Sequence, residues 1–214
     1  MNRFRIHYAK TEALRYTGNL DMQKVWERTL RRARLPIAYS QGFHPQARLQ
    51  QACPLPLGLL SRCEVLDFWL ECDATPEEVR SALEPALPPG ITLLQIETIP
   101  LNAPALQTQG ESALYHILLL DPFPPEELLR RCQDCLSAIS LPRQRRDKQY
   151  DLRPLILELF PLPQSTAQAP RLHLRLTARE GATGRPDEVL LALGLDPSAA
   201  RIERVELHFR EETP

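Results

Sequence analysis

Glycine is scarce in this chain, eight residues of 214 and widely spaced. That excludes a glycine-rich loop that wraps phosphate with consecutive backbone amides. Lysine is scarcer still: of 26 basic residues only Lys10, Lys24 and Lys148 are lysine. Positive charge therefore rests on guanidinium groups, the better fork for phosphate, a bias that genome composition explains equally well. No apolar run approaches the ~20 residues that span a bilayer. The opening MNRFRIHYAK alternates polar and apolar residues, which reads as a strand rather than a secretion signal. A cytoplasmic location without membrane attachment is expected. Five cysteines, an odd number, suit free thiols better than a disulfide framework. Neither His-Glu-x-x-His nor Gly-x-Ser-x-Gly occurs.

At 214 residues, 43% hydrophobic and 25% charged, the chain is long enough for one large domain or two that each bury a core. Its net charge of −1 supplies no global field toward nucleic acid, but the charges are segregated. Residues 1–48 carry ten Lys or Arg against Glu12, Asp21 and Glu27, whereas residues 64–99 carry eight acids against Arg80 alone. Such asymmetry predicts one basic face.

Periodicity predicts two copies of one pattern. Arg3, Arg5 and His7 alternate with Phe4, Ile6 and Tyr8, as in a half-buried strand. A helix follows, with Asn19 as N-cap, Asp21 in the first turn and a buried stripe of Met22, Val25, Trp26, Thr29, Leu30 and Ala33; Pro36 stops it. Residues 37–49 read as extended, 64–72 as a strand, Thr75-Pro76-Glu77-Glu78 as a helix start, and 91–99 as a strand. This order is the βαββαβ unit. After a connector at 102–112 it returns: strand 114–120, helix 124–138, extended segments 143–152, 155–162 and 171–178, a helix from Arg185-Pro186 to Gly194, and strand 201–209. The expected fold is α+β, two ferredoxin-like (βαββαβ) halves with antiparallel sheets, pseudo-duplicated. One half covers 1–101 and the other, with an additional strand, 113–214.

The densest chemistry lies in residues 15–57, where an arginine-rich helix runs almost directly into Tyr39-Ser40-Gln41-Gly42-Phe43-His44-Pro45. Gly42 frees the backbone and Pro45 fixes it, so Gln41, Phe43 and His44 are expected to converge on one pocket. Arg28, Arg31 and Arg32 cover the outer helix face, and Glu27 to Arg31 is an ordinary i,i+4 pair. A second basic cluster, Arg143, Arg145, Arg146 and Lys148, partly offset by Asp147 and Asp151, leads into Asp151-Leu152-Arg153-Pro154. Arginines beside Tyr39, Phe43 and Tyr150 suit RNA, which is read by backbone charge and base stacking. The binding candidates are Arg28, Arg31, Arg32, Tyr39, Gln41, Gly42, Phe43, His44, Arg145, Arg146 and Arg153. Asp21 and His44 are the candidates for an acid/base pair, though Asp21 is also explained as a helix-start residue.

Arg15–Leu57 resembles the N-terminal half of the radical-SAM-linked protein family, a domain of unknown function found alone or at the C-terminus of cobalamin-binding radical S-adenosylmethionine proteins. The matching residues include Leu20-Asp21, Trp26-Glu27-Arg28, Leu30-Arg31-Arg32-Ala33, Tyr39-Ser40-Gln41-Gly42-Phe43 and His44-Pro45, with Asp151-Leu152-Arg153-Pro154 and Arg185-Pro186-Asp187-Glu188 in the second half. Relatives usually carry His where this chain has Asn19 and Pro where it has Ala47. The first change leaves open whether an activity present in relatives is missing here. The resemblance implies a radical-SAM partner and RNA-processing surroundings, but no established activity. The Cys-x3-Cys-x2-Cys signature of a radical-SAM enzyme is absent, so an accessory or substrate-binding module is expected rather than an enzyme. The rival readings are a stand-alone RNA-modifying or RNA-cleaving enzyme using Asp21 and His44, and a protein-docking module without nucleic acid.

The remaining motifs read as architecture. Cys132 and Cys135 fall on the apolar stripe of a helix with Leu128, Leu129 and Leu136, as small core residues, and Cys53, Cys63 and Cys72 add no second close pair for a zinc site. No metal and no cofactor are expected. His173 and His208 are expected to be solvated on polar strand faces, and His116 to be a satisfied core or interface residue. Trp69 lies on the strand face opposite Leu66, Phe68 and Leu70, as a stacking platform or a seal between the halves.

Overall fold

The computed structural model describes residues 1–145 and 148–210. The chain divides into two compact α+β units, Met1–Gly110 and Glu111–Pro214.

The first unit runs β1 (Asn2–Lys10), α1 (Asn19–Arg32), β2 (Leu49–Gln51), β3 (Leu60–Leu70), α2 (Pro76–Leu83), β4 (Ile91–Ile99) and α3 (Leu106–Gln109). Its strands lie in the order β2-β3-β1-β4 with every neighbour antiparallel. Ile6 stands opposite both Leu66 and Ile96. Phe4, Ile6, Tyr8, Leu66, Phe68 and Leu70 form one wall of the core, and Met22, Trp26 and Leu30 of α1 with Val79 and Leu83 of α2 form the other. Phe4 stacks on Phe68 at 5.6 Å, and Tyr8 meets Trp26 edge-on at 4.8 Å. Each such side chain contributes about 1.5–3 kcal/mol on leaving water, enough to fix two helices on one sheet face.

The helix ends follow local chemistry. Thr75 caps α2: its hydroxyl accepts from the Glu78 N–H and the Glu78 carboxylate accepts from the Thr75 N–H, a reciprocal capping box. At α1 the expected Asn19 cap is displaced by one residue. Gly18 holds the extended cap position and Asn19 is the first helical residue, since glycine caps only a few tenths of a kcal/mol worse than asparagine. The helix closes before Pro36: the Leu35 N–H donates to the Leu30 carbonyl and the Arg34 N–H to that of Arg31. That closure needs a left-handed residue, and Arg34 supplies it at φ 57°, where glycine is the unstrained choice.

The opposite face of this sheet departs from the sequence reading. Alternation places Arg3 and Arg5 on a polar strand face, yet Arg3 and Asp67 are buried. Asp67 accepts from Arg3 Nε and Nη2 (2.9 and 2.6 Å) and from Arg5 Nε and Nη2 (2.8 and 3.0 Å). Arg3 also donates to the carbonyls of Ala103 and Pro104 at 2.6 and 2.8 Å. Residues 102–112, expected as a connector, are thus held to the first unit as far as Gly110. They contain α3 with its buried Leu106, and the start of the next strand. The guanidinium groups of Arg3 and Arg48 both lie against the Trp69 ring, 5.0 and 4.6 Å from its centre. At 4% exposure it is not a stacking platform for a ligand.

The second unit runs β5 (Gly110–Leu119), α4 (Pro125–Ser137), β6 (Pro142–Arg145), β7 (Lys148–Asp151), β8 (Ile156–Pro161), β9 (Arg171–Arg179), β10 (Ala182–Thr183), α5 (Pro186–Ala192) and β11 (Ala200–Phe209). The sheet order is β10-β9-β5-β11, with β8 also paired to β9. The segment expected to add one strand instead forms the hairpin β6–β7, outside that sheet. α5 ends as α1 does, with the Leu195 N–H on the Leu190 carbonyl, but here Gly194 holds the left-handed position. Compared element by element, β1-α1-β2-β3-α2-β4 and β5-α4-β8-β9-α5-β11 share one order. Their strands are permuted alike, β2-β3-β1-β4 and β8-β9-β5-β11.

Two substitutions test this account by chemical denaturation. Asp67→Asn leaves two guanidinium groups without their counter-charge and is expected to cost about 3–5 kcal/mol; a loss under about 1 kcal/mol would mean the cluster behaves as a surface pair. Arg34→Gly is expected to gain about 1 kcal/mol by relieving the left-handed backbone.

Candidate functional site

Residues 38–48 form a tethered finger. The Ala38 N–H donates to the Trp69 carbonyl, the Arg48 N–H to that of Ala38, and the Trp69 N–H to that of Arg48, which anchors the base to β3. Tyr39 bridges Ala47, which packs at the buried base. Ser40 closes the neck: its N–H donates to the Gln46 carbonyl and its Oγ accepts from the Gln46 N–H at 2.9 Å. Beyond that neck Gln41, Gly42, Phe43, His44 and Pro45 are all exposed. Gly42 has φ 134° and open space around it, so a side chain there is opposed by the backbone alone. The Phe43 ring is wholly exposed. The tip therefore projects into solvent, and the expected convergence of Gln41, Phe43 and His44 on a pocket is not what the finger forms.

α1 flanks the base of the finger. Arg31 Nε donates to the Tyr39 hydroxyl at 3.0 Å, and its guanidinium lies 5.7 Å from that ring and 2.7 Å from Glu27. The hydroxyl and the carboxylate raise the Arg31 pKa further. Arg28 is exposed and has no partner among the described residues. Arg32 behaves differently, donating to the Ala86 carbonyl. Asp21 and His44 are not joined: Asp21 is an exposed first-turn residue whose carboxylate is 3.9 Å from Lys24, and His44 has no hydrogen bond among the described residues.

In the second unit the candidates separate into clamp and surface. Asp151 Oδ1 accepts from the backbone N–H groups of Leu141 and Arg153 (2.8 and 3.0 Å), which holds its pKa below the usual carboxylate range. Arg153 donates to the carbonyls of Leu136 and Ile156 at 2.8 and 3.1 Å. The Asp151-Leu-Arg153-Pro run thus fastens the end of α4 to β7 and β8. Arg145 is exposed at the end of β6 without a partner among the described residues, and Arg146 lies outside the described residues. Cys132 and Cys135 are buried on α4, and burial pushes the Cys132 thiol up to about 12, a poor nucleophile and ligand at neutral pH. No group of three or more side chains able to hold a metal ion occurs among the described residues. No helix among them is long and apolar enough to cross a membrane.

Two features escaped the sequence. His173 and His208, expected to be solvated, belong to a charged network. His173 Nε2 is 2.7 Å from Glu158 and its ring stacks on Phe160 at 4.3 Å, while Glu158 accepts from Arg175 at 2.9 Å. Arg175 Nη2 lies 2.8 Å from His208 Nε2, which is also 3.1 Å from the Glu206 carboxylate. The alternation Arg171-His173-Arg175 was the available signal. The other feature is a cleft of about 390 Å³ in the first unit, lined by Asn19, Gln23, Gln50, Gln51 and Gln107. Its members are dispersed over three elements, so no local pattern marks it.

Arg153→Met tests the clamp. Losing two charge-assisted bonds to part-buried carbonyls is expected to cost about 1.5–3 kcal/mol by urea denaturation, whereas Arg28→Ala, with no partner to lose among the described residues, is expected to stay within about 0.5 kcal/mol of the parent.

Comparison with known proteins places these features in a family. No curated protein matches the chain. A solved structure described as "An RAMP protein binding different RNA substrates" is similar over 96% of this chain and 100% of its own at 11% identity and a TM-score of 0.26, a likeness too slight to bear on fold or activity. The profile of a bacterial family described as "Uncharacterized protein conserved in bacteria (DUF2344)" matches residues 3–186, most of the molecule, and the chain belongs to that family.

Proposed function

We propose that the protein is a cytoplasmic binding module that presents RNA, or an RNA-bearing complex, to a radical-SAM partner. It is built from two ferredoxin-like halves. The shared element order and strand permutation of the two units support the duplication. The partner rests on the resemblance of residues 15–57, and the lack of a cluster-binding cysteine motif assigns the radical chemistry to that partner. The observation that carries RNA binding is Phe43, a bare aromatic ring at the tip of a finger with a fixed neck. Such a ring offers both faces to bases of any identity. Exposed Arg28 and the Arg31–Tyr39 pair on the flanking helix supply phosphate-directed charge and a second aromatic. Arg153 is less available to a ligand, with two donors on the carbonyls of Leu136 and Ile156, whereas Arg32 commits one donor to the Ala86 carbonyl and stays exposed.

The acid/base alternative with Asp21 and His44 has nothing here to favour it, since Asp21 turns to Lys24. Docking of an acidic protein on the same arginines is the outcome to be separated by experiment. Affinity for mixed-sequence single-stranded RNA is expected to fall with salt, by about 0.7 in the log–log slope for each phosphate neutralised. Phe43→Ala is expected to weaken binding by about 1–3 kcal/mol, the worth of one base stack, without moving the thermal midpoint. Undetectable binding of total cellular RNA at low salt would reassign the surface to a protein. Separate elution of the chain and a radical-SAM protein of the same cell would remove the partner.

A further inference from the structure

The cleft in the first unit is unusual in what lines it. Five of its side chains are carboxamides, Asn19 and Gln23 from the first turn of α1, Gln50 and Gln51 from β2, and Gln107 from α3, and none is charged. Its volume of about 390 Å³ falls within the range of small-ligand sites. An ion entering it would find no opposite charge to offset its desolvation. A neutral ligand finds up to five acceptors and ten donors.

Part of that set is already oriented. Gln50 Oε1 accepts from the Leu106 N–H at 3.3 Å, so its amide must stand with the oxygen there and keeps the NH2 group unspent. Gln51 Nε2 donates to the Asn19 carbonyl at 3.3 Å, so its amide is fixed the other way and keeps its oxygen. The backbone partners leave no choice of amide flip, because an N–H demands an acceptor and a carbonyl demands a donor. Asn19 Oδ1 is buried with no hydrogen-bond partner. A buried amide oxygen without a partner is a condition that a folded protein seldom leaves unanswered. Leu49, Ala52 and Pro54 complete the lining with apolar surface.

We infer that this cleft binds a neutral nucleobase. The base is held by its donor–acceptor edge against the amides and by its ring against the apolar wall. Adjacent donor and acceptor groups on a flat, uncharged ring match a carboxamide two bonds at a time, as Asn and Gln do with adenine. The same chemistry arrives as a free nucleoside or as an unpaired base of a strand. The inference goes beyond the RNA surface of the finger. It uses other residues, and its binding is carried by uncharged groups.

The test is titration of the full chain with adenosine, guanosine, cytidine and uridine, followed through the side-chain NH2 resonances of its asparagine and glutamine residues. Ribose 5-phosphate serves as the baseless control and a mixed-sequence single-stranded octanucleotide as the strand. At least one nucleoside, or the octanucleotide alone if the base must arrive in a strand, is expected to shift the NH2 signals of Gln50 and Gln51, and ribose 5-phosphate is not. The side chains of Gln23 and Gln107 make no hydrogen bond among the described residues. The double variant Gln23→Leu with Gln107→Leu is therefore expected to fold with an unchanged thermal midpoint and to bind about tenfold more weakly. Nucleoside affinity is expected to be indifferent to salt, which separates it from phosphate-driven binding at the finger. Shifts with ribose 5-phosphate equal to those with nucleosides, no shift with any nucleoside or the octanucleotide, or full affinity in the double variant would each overturn the assignment.

Discussion

The buried carboxylate of Asp67 is the constraint on which the first unit depends. It faces two arginines from the neighbouring strand at 2.6–3.0 Å, with Asp67 and Arg3 shut off from water and Arg5 only partly exposed. Asp67 pairs directly with Arg5 in the ladder and Trp69 with Arg3. A one-residue slip of β3 would turn Asp67 toward the apolar face that holds Phe4 and Ile6, and Leu66, Phe68 and Leu70 away from the helices. Buried ion pairs are weak evidence for net stability, but this one penalises every other register, which is a different service. Through Arg3 it also captures the carbonyls of Ala103 and Pro104, and so positions α3, whose Leu106 N–H in turn orients Gln50.

Other arginines are likewise engaged inside the fold. Arg3, Arg15, Arg32, Arg80, Arg131 and Arg153 each donate to backbone carbonyls that helices and strands leave unsatisfied. Arg153 meets two such acceptors at once, the carbonyls of Leu136 and Ile156, and the buried Lys10 ammonium likewise meets those of Arg15 and Thr17. Much of the arginine content is thus architecture, and charge counts overstate the surface offered to a ligand.

That distinction marks what the sequence made legible. Alternation in β1, the apolar stripe of α1, the Thr75-Pro76 start and the Gly194 stop were readable because each is local, and each lies where the structure has it. The burial of Arg3 was not readable, since it depends on Asp67 sixty-four positions away. Nor was the hairpin of β6 and β7, whose short polar strands carry no apolar period. The candidate site was legible as a run, residues 39–45, but its parts divided on a point no run reveals. Ser40 and Tyr39 are spent on the neck and base, while Gln41, Phe43 and His44 are left free. The amide cleft was invisible because glutamine on a strand, a helix and a loop-borne turn looks like ordinary surface until the fold gathers it.

α1 connects the two surfaces by its own sequence. Its first turn gives Asn19 and Gln23 to the neutral cleft, and its later turns give Arg28 and Arg31 to the charged flank of the finger. At 1.5 Å per residue the helix separates Asn19 from Arg31 by about 18 Å, too far for one nucleotide and well within a short strand. A polymer with a charged backbone and neutral, flat side groups presents both chemistries along one chain. The helix answers with amides at one end and guanidinium groups at the other, and its buried stripe of Met22, Trp26 and Leu30 keeps the two ends in fixed register.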